Sequence, residues 1–362
     1  MLRHDVSRRK FLGGLASSSV LSAVSPRLSA SLFAGTAAAL RVGLVGCGGR
    51  GTGAVTQAMT ADPAVKFTAM ADLFQDRLDM AYKSIVAKNP DQTDIPESRK
   101  FVGFDACRNL LESDIDLVIL ATPPGFRPQH FRDAVAAGKH VFMEKPVAVD
   151  APGIRQVLSS GLEAKRKNLG VQAGFQRRHD VGYVEAIKRL QDGQLGKIQS
   201  LEADWRGGGV WMRPRTKGQS ELEYQLRNWY YFVWQSGDFI VEQHSHNIDV
   251  CTWLMGGPPT KAEPIQAGRN SRIGNRAGEI FDEFITRFTW GTNRLGDDIQ
   301  LHSTARQILN HPDGYKVGET IKCARGVADL AKGQFEDLSG TIVWKKSGNS
   351  PGLGGYQSEW DH

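Results

Sequence analysis

A short apolar run, Arg41-Val42-Gly43-Leu44-Val45, leads straight into Gly46-Cys47-Gly48-Gly49-Arg50-Gly51. A continuous apolar run is what a buried parallel strand requires, and glycines directly after it let the chain turn tightly and enter a helix. Gly46 permits the turn, Gly48 lets backbone approach a pyrophosphate, and Gly51 allows close helix–strand packing. The helix expected to start near Arg50 would point its N–H groups and positive dipole end at the phosphates. A second strand, residues 65–71, ends in Asp72. A carboxylate there can accept hydrogen bonds from both adenosine ribose hydroxyls and repels a 2′-phosphate, which favours NAD over NADP. Arg77 weakens that preference only slightly. The competing reading of Asp72 is an N-cap for the helix expected over 74–87.

The alternation continues. Residues 115–121 read as a strand ending in Thr122-Pro123-Pro124, 126–137 as a helix closed by Gly138, and 140–143 as a strand running into Glu144-Lys145-Pro146. Strand–helix alternation with short loops predicts a doubly wound parallel sheet. Ligands of such sheets sit beyond the carboxyl ends of the strands, where Gly46, Asp72, Thr122 and Lys145 all fall. The boundary of this first, Rossmann-type domain is placed at 40–150. Asp150 and Pro152 then open a helix to about 167, followed by a strand over 169–174 within a second domain, 151–362.

The glycine loop, Asp72, Thr122-Pro123-Pro124 with His130, Gly138-Lys139-His140-Val141 and Glu144-Lys145-Pro146 together resemble the glucose–fructose oxidoreductase / inositol dehydrogenase (Gfo/Idh/MocA) family. The resemblance extends over nearly everything after residue 40. It implies an NAD-binding Rossmann domain joined to an α+β domain with an open, mostly antiparallel sheet that builds an oligomer face. It implies cofactor contacts from Gly46, Gly48, Gly49, Arg50, Gly51, Asp72, Thr122, Pro123, His130 and Glu144. It makes Lys145 a catalytic residue touching both nicotinamide ribose and substrate hydroxyl, before a proline often in a cis bond. The chemistry stands on its own as well: an ammonium polarises a hydroxyl and lowers its pKa before hydride leaves. A surface lysine ahead of a turn is the plainer alternative.

In the second half, Gln176-Arg177-Arg178-His179 follows a strand end that the resemblance places beside the active site, making Arg177, Arg178 and Tyr183 substrate-side candidates. Residues 237–256 have helical spacing at Val241, Ile248, Cys251 and Leu254. A continuous helix would put Glu242, His246 and Asp249 on one face at i, i+4 and i+7. A carboxylate one turn from a histidine orients the ring and raises its basicity, so Glu242 is expected to support His246 as general base. The family pattern is Asp-x-x-x-His-x-x-Asp; this chain has glutamate at 242, and His244 stands where a small residue is common, so His244, Asp249 and Trp205 join the expected substrate contacts. Glu242, His244, His246 and Asp249 as metal ligands, and a merely polar helix face, remain competing readings, though no metal is the expectation. Trp205, Trp211, Trp229, Tyr230, Tyr231 and Trp234 suit sugar stacking beside Arg213, Asn228 and Asp238, or core packing. Strands are expected within 279–290, 300–304, 320–322 and 341–344. The resemblance implies a further helix packing back on the first domain, and the sequence reads as lacking it, shortened or truncated.

Before the glycine loop, Ser7-Arg8-Arg9-Lys10-Phe11-Leu12-Gly13 matches a twin-arginine export signal, followed by an Ala- and Ser-rich run with no long apolar stretch. An export signal over 1–39 predicts a periplasmic protein delivered by the twin-arginine machinery. The formal charge of +6 is concentrated there: five basic residues against Asp5 leave only +2 on the remainder, so no electrostatic case for nucleic acid exists. Cys47, Cys107, Cys251 and Cys323 lack disulfide or zinc spacing. The chain is expected to be a homo-oligomeric oxidoreductase that moves hydride from a secondary alcohol of a sugar, glycoside or polyol, with NAD tightly held. Redox-assisted glycoside cleavage and non-catalytic sugar or nucleotide binding are the alternatives.

Overall fold

The computed structural model describes residues 39–270, 278–291, 298–347 and 355–361; the twin-arginine signal expected over 1–39 lies outside them but for its last residue. The chain enters strand β1 (Arg41–Val45) and turns into helix α1 (Gly49–Ala61), then β2 (Lys66–Asp72), α2 (Gln75–Lys88), β3 (Lys100–Val102), α3 (Ala106–Leu111), β4 (Leu117–Leu120), α4 (Arg127–Ala136), β5 (His140–Glu144), α5 (Ala151–Arg166) and β6 (Val171–Gly174). The six strands are all parallel, in the order β3-β2-β1-β4-β5-β6. The apolar runs form the centre of this sheet because both of its faces are covered by helices. Leu44, Phe67, Met70 and Ile119 are fully buried, each such side chain contributing roughly 1.5–3 kcal/mol by leaving water.

The segment 151–174, read from sequence as the start of the second domain, supplies α5 and the sixth strand of this sheet. Asp150 caps α5 as anticipated, accepting from Gly153 N at 2.7 Å. The second sheet follows from α6 (Val181–Gln191), β7 (Ile198–Gly207), four helices — α7 (Glu221–Arg227), α8 (Val233–Ser236), α9 (Phe239–Glu242) and α10 (Ser245–Met255) — and seven strands: β8 (Lys261–Gly268), β9 (Glu283–Trp290), β10 (Ile299–Gln307), β11 (Lys316–Cys323), β12 (Gly326–Asp329), β13 (Gln334–Asp337) and β14 (Ile342–Lys345). Its order is β14-β13-β12-β11-β7-β10-β9-β8. Only β7 and β10 run parallel; the other neighbours are antiparallel. α6 and α10 pack on one face, where Ile187, Leu190, Val250 and Leu254 meet Leu201, Leu301 and Ile321.

The last described turn, α11 (Ser358–Asp361), corrects the expectation that nothing packs back on the first layer. Trp360 lies against Phe142 of β5 with ring centroids 4.2 Å apart, and Gln357 donates to the Gln57 carbonyl of α1 at 3.2 Å.

Candidate active site

The glycine loop forms because only glycine fits it. Gly46 has φ +97°, and a Cβ there would come within 2.6 Å of the Ala121 backbone. A Cβ on Gly51 would collide with the Gly46 carbonyl. Gly48 and Gly49, in contrast, face open space, and α1 starts at Gly49 with no side chain capping its first N–H groups. Asp72 closes one end of the loop: its carboxylate accepts from Cys47 N at 2.7 Å and Phe74 N at 2.9 Å. Burial raises its pKa, and those two hydrogen bonds oppose the rise. Asp72 thus does bond to the start of the following helix segment, yet it retains a cleft-facing position.

A cleft of about 460 Å³ opens in front of this loop. Of the residues expected to contact a cofactor, Gly46, Gly48, Gly49, Arg50, Asp72, Thr122, Pro123 and His130 line it. Gly51 packs beneath the loop. Thr122 Oγ1 and His130 Nδ1 are 3.2 Å apart, and burial with the neighbouring Arg127 charge pulls His130 down to about 4, so the ring is neutral. Uncapped helix N–H groups, glycine faces without Cβ atoms and a carboxylate at the second strand end fit a dinucleotide.

A second cavity of about 330 Å³ shares Arg50, Ala121, Thr122 and Trp229 with the first, and is otherwise lined by Glu144, Lys145, Arg177, Trp205, Glu242 and His246 among others. Arg50 reaches across from α1: its Nε is 2.7 Å from Glu144 Oε1 and its guanidinium lies 4.4 Å over the Tyr356 ring. The loop carrying Lys145 is fixed from below by Arg127, which is 1% exposed. Its guanidinium donates to the carbonyls of Thr122, Glu144 and Pro146, the last at 2.9 Å. The Lys145–Pro146 bond is cis.

The helix expected over 237–256 is interrupted. Asp238, at φ +70°, caps α9 by accepting from Phe239 N at 2.7 Å, and its other oxygen accepts from Phe281 N at 2.9 Å. At the far end His244 N bonds to the Phe239 carbonyl, five residues back, and His246 N bonds to Gln243 O rather than to Glu242 O. The regular ladder is broken between α9 and α10, so the one-turn spacing of a continuous helix does not hold across it. Two consequences correct the sequence reading. Glu242 makes no hydrogen bond to His246. Its freed carbonyl and its carboxylate both accept from Lys145 Nζ, the carboxylate Oε1 at 2.7 Å. Asp249 turns away to a two-bond pair with Arg178, at 2.7 and 2.8 Å.

His246 stays in the cavity, 5% exposed, stacked on Trp205 at 6.3 Å and edge-on to Phe175 at 6.1 Å. Its Nδ1 has no hydrogen-bond partner among the described residues. Burial first, then the Lys145 and Arg177 charges, hold its pKa well below the usual imidazole range. Three expected substrate contacts lie elsewhere. His244 is fully buried with Nε2 2.7 Å from Ser303 Oγ, and is depressed to about 3 by burial. Tyr183 donates to Glu319 at 3.1 Å, and Arg178 is taken by Asp249. Arg177 pairs with Glu319 at 2.6 Å yet still borders the cavity. Of the aromatics, Trp205, Trp211 and Trp229 face the cavities, whereas Tyr230 and Tyr231 are core. Among the described residues no group of three His, Cys, Asp or Glu side chains is placed to hold a metal. Gln176, from the polar cluster after β6, borders the site, as do Arg127, Gln243 and Tyr356, which no sequence signal singles out.

Comparison with known proteins bears on this arrangement. The chain is 26% identical over 234 residues to inositol 2-dehydrogenase of Gluconacetobacter diazotrophicus, covering 64% of this chain and 59% of that protein. It is 23% identical over 295 residues to inositol 2-dehydrogenase of Acidothermus cellulolyticus, covering 82% and 74%. The first match therefore spans less than two thirds of its relative. The fold matches the crystal structure of aldose-aldose oxidoreductase from Caulobacter crescentus with TM-score 0.66 at 18% identity, over 89% of this chain and 88% of that one. Residues 40–175 match the family model described as oxidoreductase family, NAD-binding Rossmann fold. That match takes in the whole six-stranded parallel sheet, so this part of the chain is similar to the NAD-binding Rossmann domain of the Gfo/Idh/MocA oxidoreductases.

Proposed function

We propose that this protein is an NAD-dependent oxidoreductase that converts a secondary alcohol of a polyol or sugar to the ketone. One observation carries the reading: Lys145 Nζ and the His246 ring face one cavity that adjoins the dinucleotide cleft through Arg50 and Thr122. The inositol 2-dehydrogenase relatives support the substrate class. NAD, when bound, supplies the hydride acceptor.

Lys145 binds the substrate hydroxyl and stabilises developing negative charge on its oxygen. Glu242 positions Lys145, because its carbonyl and carboxylate leave the ammonium one direction free. His246 is neutral, since burial and two nearby cations oppose its protonation, and so it can accept the hydroxyl proton as hydride departs. The same cations disfavour holding that proton, so it must pass on to solvent. Trp205 and Trp229 offer apolar faces beside these polar groups, as the two-sided surface of a sugar ring requires. Arg177 borders the same space but is committed to Glu319, which makes it a wall rather than a mobile clamp.

The test is turnover with NAD and a panel of inositols, aldoses and glycosides, read by reduced nicotinamide and by released aglycone. Reduced nicotinamide formed by the parent and lost in Lys145→Ala and His246→Asn supports the reading. Aglycone release without net reduction would mark glycoside cleavage instead. The leader Ser7-Arg8-Arg9-Lys10-Phe11-Leu12 supports export to the periplasm with NAD tightly bound. The N-terminal mass of protein from that compartment, with any nucleotide it carries, tests both. Family resemblance supports a homo-oligomer built on the eight-stranded sheet, tested by light scattering.

A further inference from the structure

The nucleotide cleft has two walls of different origin. The glycine loop and the strand ends make one. The other is the segment 208–232, between β7 and α8, which contributes Trp211, Arg213, Arg227 and Trp229. This second wall is internally braced. Asn228, 1% exposed, accepts from Arg213 N at 2.8 Å and donates to Arg213 O at 3.2 Å. The Tyr231 hydroxyl donates to Val210 O at 2.7 Å, and the Trp211 and Trp229 rings meet edge to face at 6.1 Å. Where the segment reaches the Rossmann layer, Arg227 donates two hydrogen bonds to Asp76 of α2, both 3.1 Å, and covers the Phe74 ring at 3.9 Å.

The chemistry of this wall points at an anionic, flat ligand. Arg77 and Arg213 line the cleft and form no ion pair among the described residues. Burial, then the Arg77 and Arg227 charges, pull Arg213 below its ordinary value, with Asp76, already held by Arg227, opposing them. Trp211 is 46% exposed although it lines a cleft, so a bound molecule would cover apolar surface there. A dinucleotide carries two negative phosphates and two flat ring systems, and it answers both features.

We propose that residues 208–232 act as a strap that retains the dinucleotide: Trp211 and Arg213 contact it from the side opposite the glycine loop, and the Arg227–Asp76 pair latches the strap. The proposal rests on the dinucleotide reading of the cleft and adds these residues to it. Release of nucleotide then requires the latch to part, so the latch acts on dissociation more than on association. An exposed ion pair together with a cation–π contact accounts for about tenfold in rate.

The experiment loads the full chain with NADH, chases with excess NAD, and follows loss of energy transfer from tryptophan to bound NADH. Asp76 is on the surface, so Asp76→Asn leaves the fold intact; thermal unfolding of each variant confirms this. Asp76→Asn and Arg227→Gln are each expected to release NADH about tenfold faster with association little changed, and the double variant to be no faster than either single one. Arg213→Gln is expected to weaken equilibrium binding at unchanged thermal stability. A parent that holds NADH while the latch variants release it at the parent's rate would falsify the strap alone. A parent that binds no NADH overturns the strap and the proposed function together.

Discussion

Two lobes bring side chains to one cavity by different means. From the Rossmann lobe come Thr122, Glu144 and Lys145, each at or just past the end of a parallel strand, held where the ladder of β4 and β5 ends. From the second lobe come Trp205, at the end of β7, and Glu242 and His246, from either side of an interrupted helix. The first set is placed by repeating backbone geometry. The second is placed by a local defect, and it is held there by an ion pair that crosses between the lobes, Lys145 to Glu242. Chemistry that depends on the first set should therefore tolerate changes in the second lobe less than fold stability does.

The largest expected effect is on the Rossmann side. Lys145→Ala removes the group proposed to bind the reacting hydroxyl and leaves Glu242 buried without its cation; kcat/KM should fall about a thousandfold, measured by steady-state turnover. His246→Asn should cost about a hundredfold. Its pH profile is sharper evidence than its size. The neutral ring is the active form, and its pKa is depressed, so parent activity should stay flat as pH falls through the ordinary imidazole range near ~6.5 and drop only at more acidic pH. An acid limb centred on the ordinary value would remove His246 from the role of base.

The two carboxylates of the broken helix separate the readings more finely. With Glu242 positioning Lys145, Glu242→Gln should lower kcat about tenfold, with KM affected less. It should leave the acid limb unmoved, because that limb belongs to His246. Were Glu242 the orienting partner of His246, the limb would shift. Asp249→Asn should leave turnover near the parent's and cost stability only, about 1 kcal/mol, since Arg178 beside it is partly exposed.

The legible parts of the sequence were those that recur. Gly46 and Gly51 announce themselves because their positions are dictated by backbone approach, and Asp72, Thr122 and Lys145 because strands of a parallel sheet all present their ends on one side. The sixth strand was readable as a strand, but nothing in Val171–Gly174 says that it joins the first sheet rather than the second. Helical periodicity across 237–256 was real, with Val250, Cys251 and Leu254 buried. One backbone hydrogen bond from His244 to Phe239 sufficed to reassign Glu242 from His246 to Lys145. Such a bond leaves no mark on residue spacing. Arg127 was equally silent: one arginine among surface-like neighbours becomes the buried donor to three carbonyls under the Lys145 loop.

The smallest expected effect tests the reach of the Rossmann lobe into the end of the described chain. Glu359 on α11 is 4% exposed, and neither carboxylate oxygen has a hydrogen-bond partner among the described residues. Burial, and then the Glu144 charge, raise it to about 8, with Arg50 opposing. The folded chain therefore keeps a proton that the unfolded chain sheds near 4.5. Stability should decline as pH rises above that value and then level off. Glu359→Gln removes the titration, so its advantage over the parent should be absent near the lower value and full above the higher one. A proton held all the way to about 8 would be worth several kcal/mol; the four-residue turn can swing the ionised carboxylate into water, which ends the decline about one pH unit above the lower value and limits the gain to about 1 kcal/mol, a few degrees in Tm. Thermal unfolding of both proteins across this pH interval measures it. A constant difference between them would mean that Glu359 is ionised in place, paired with Arg50 at the expense of Glu144.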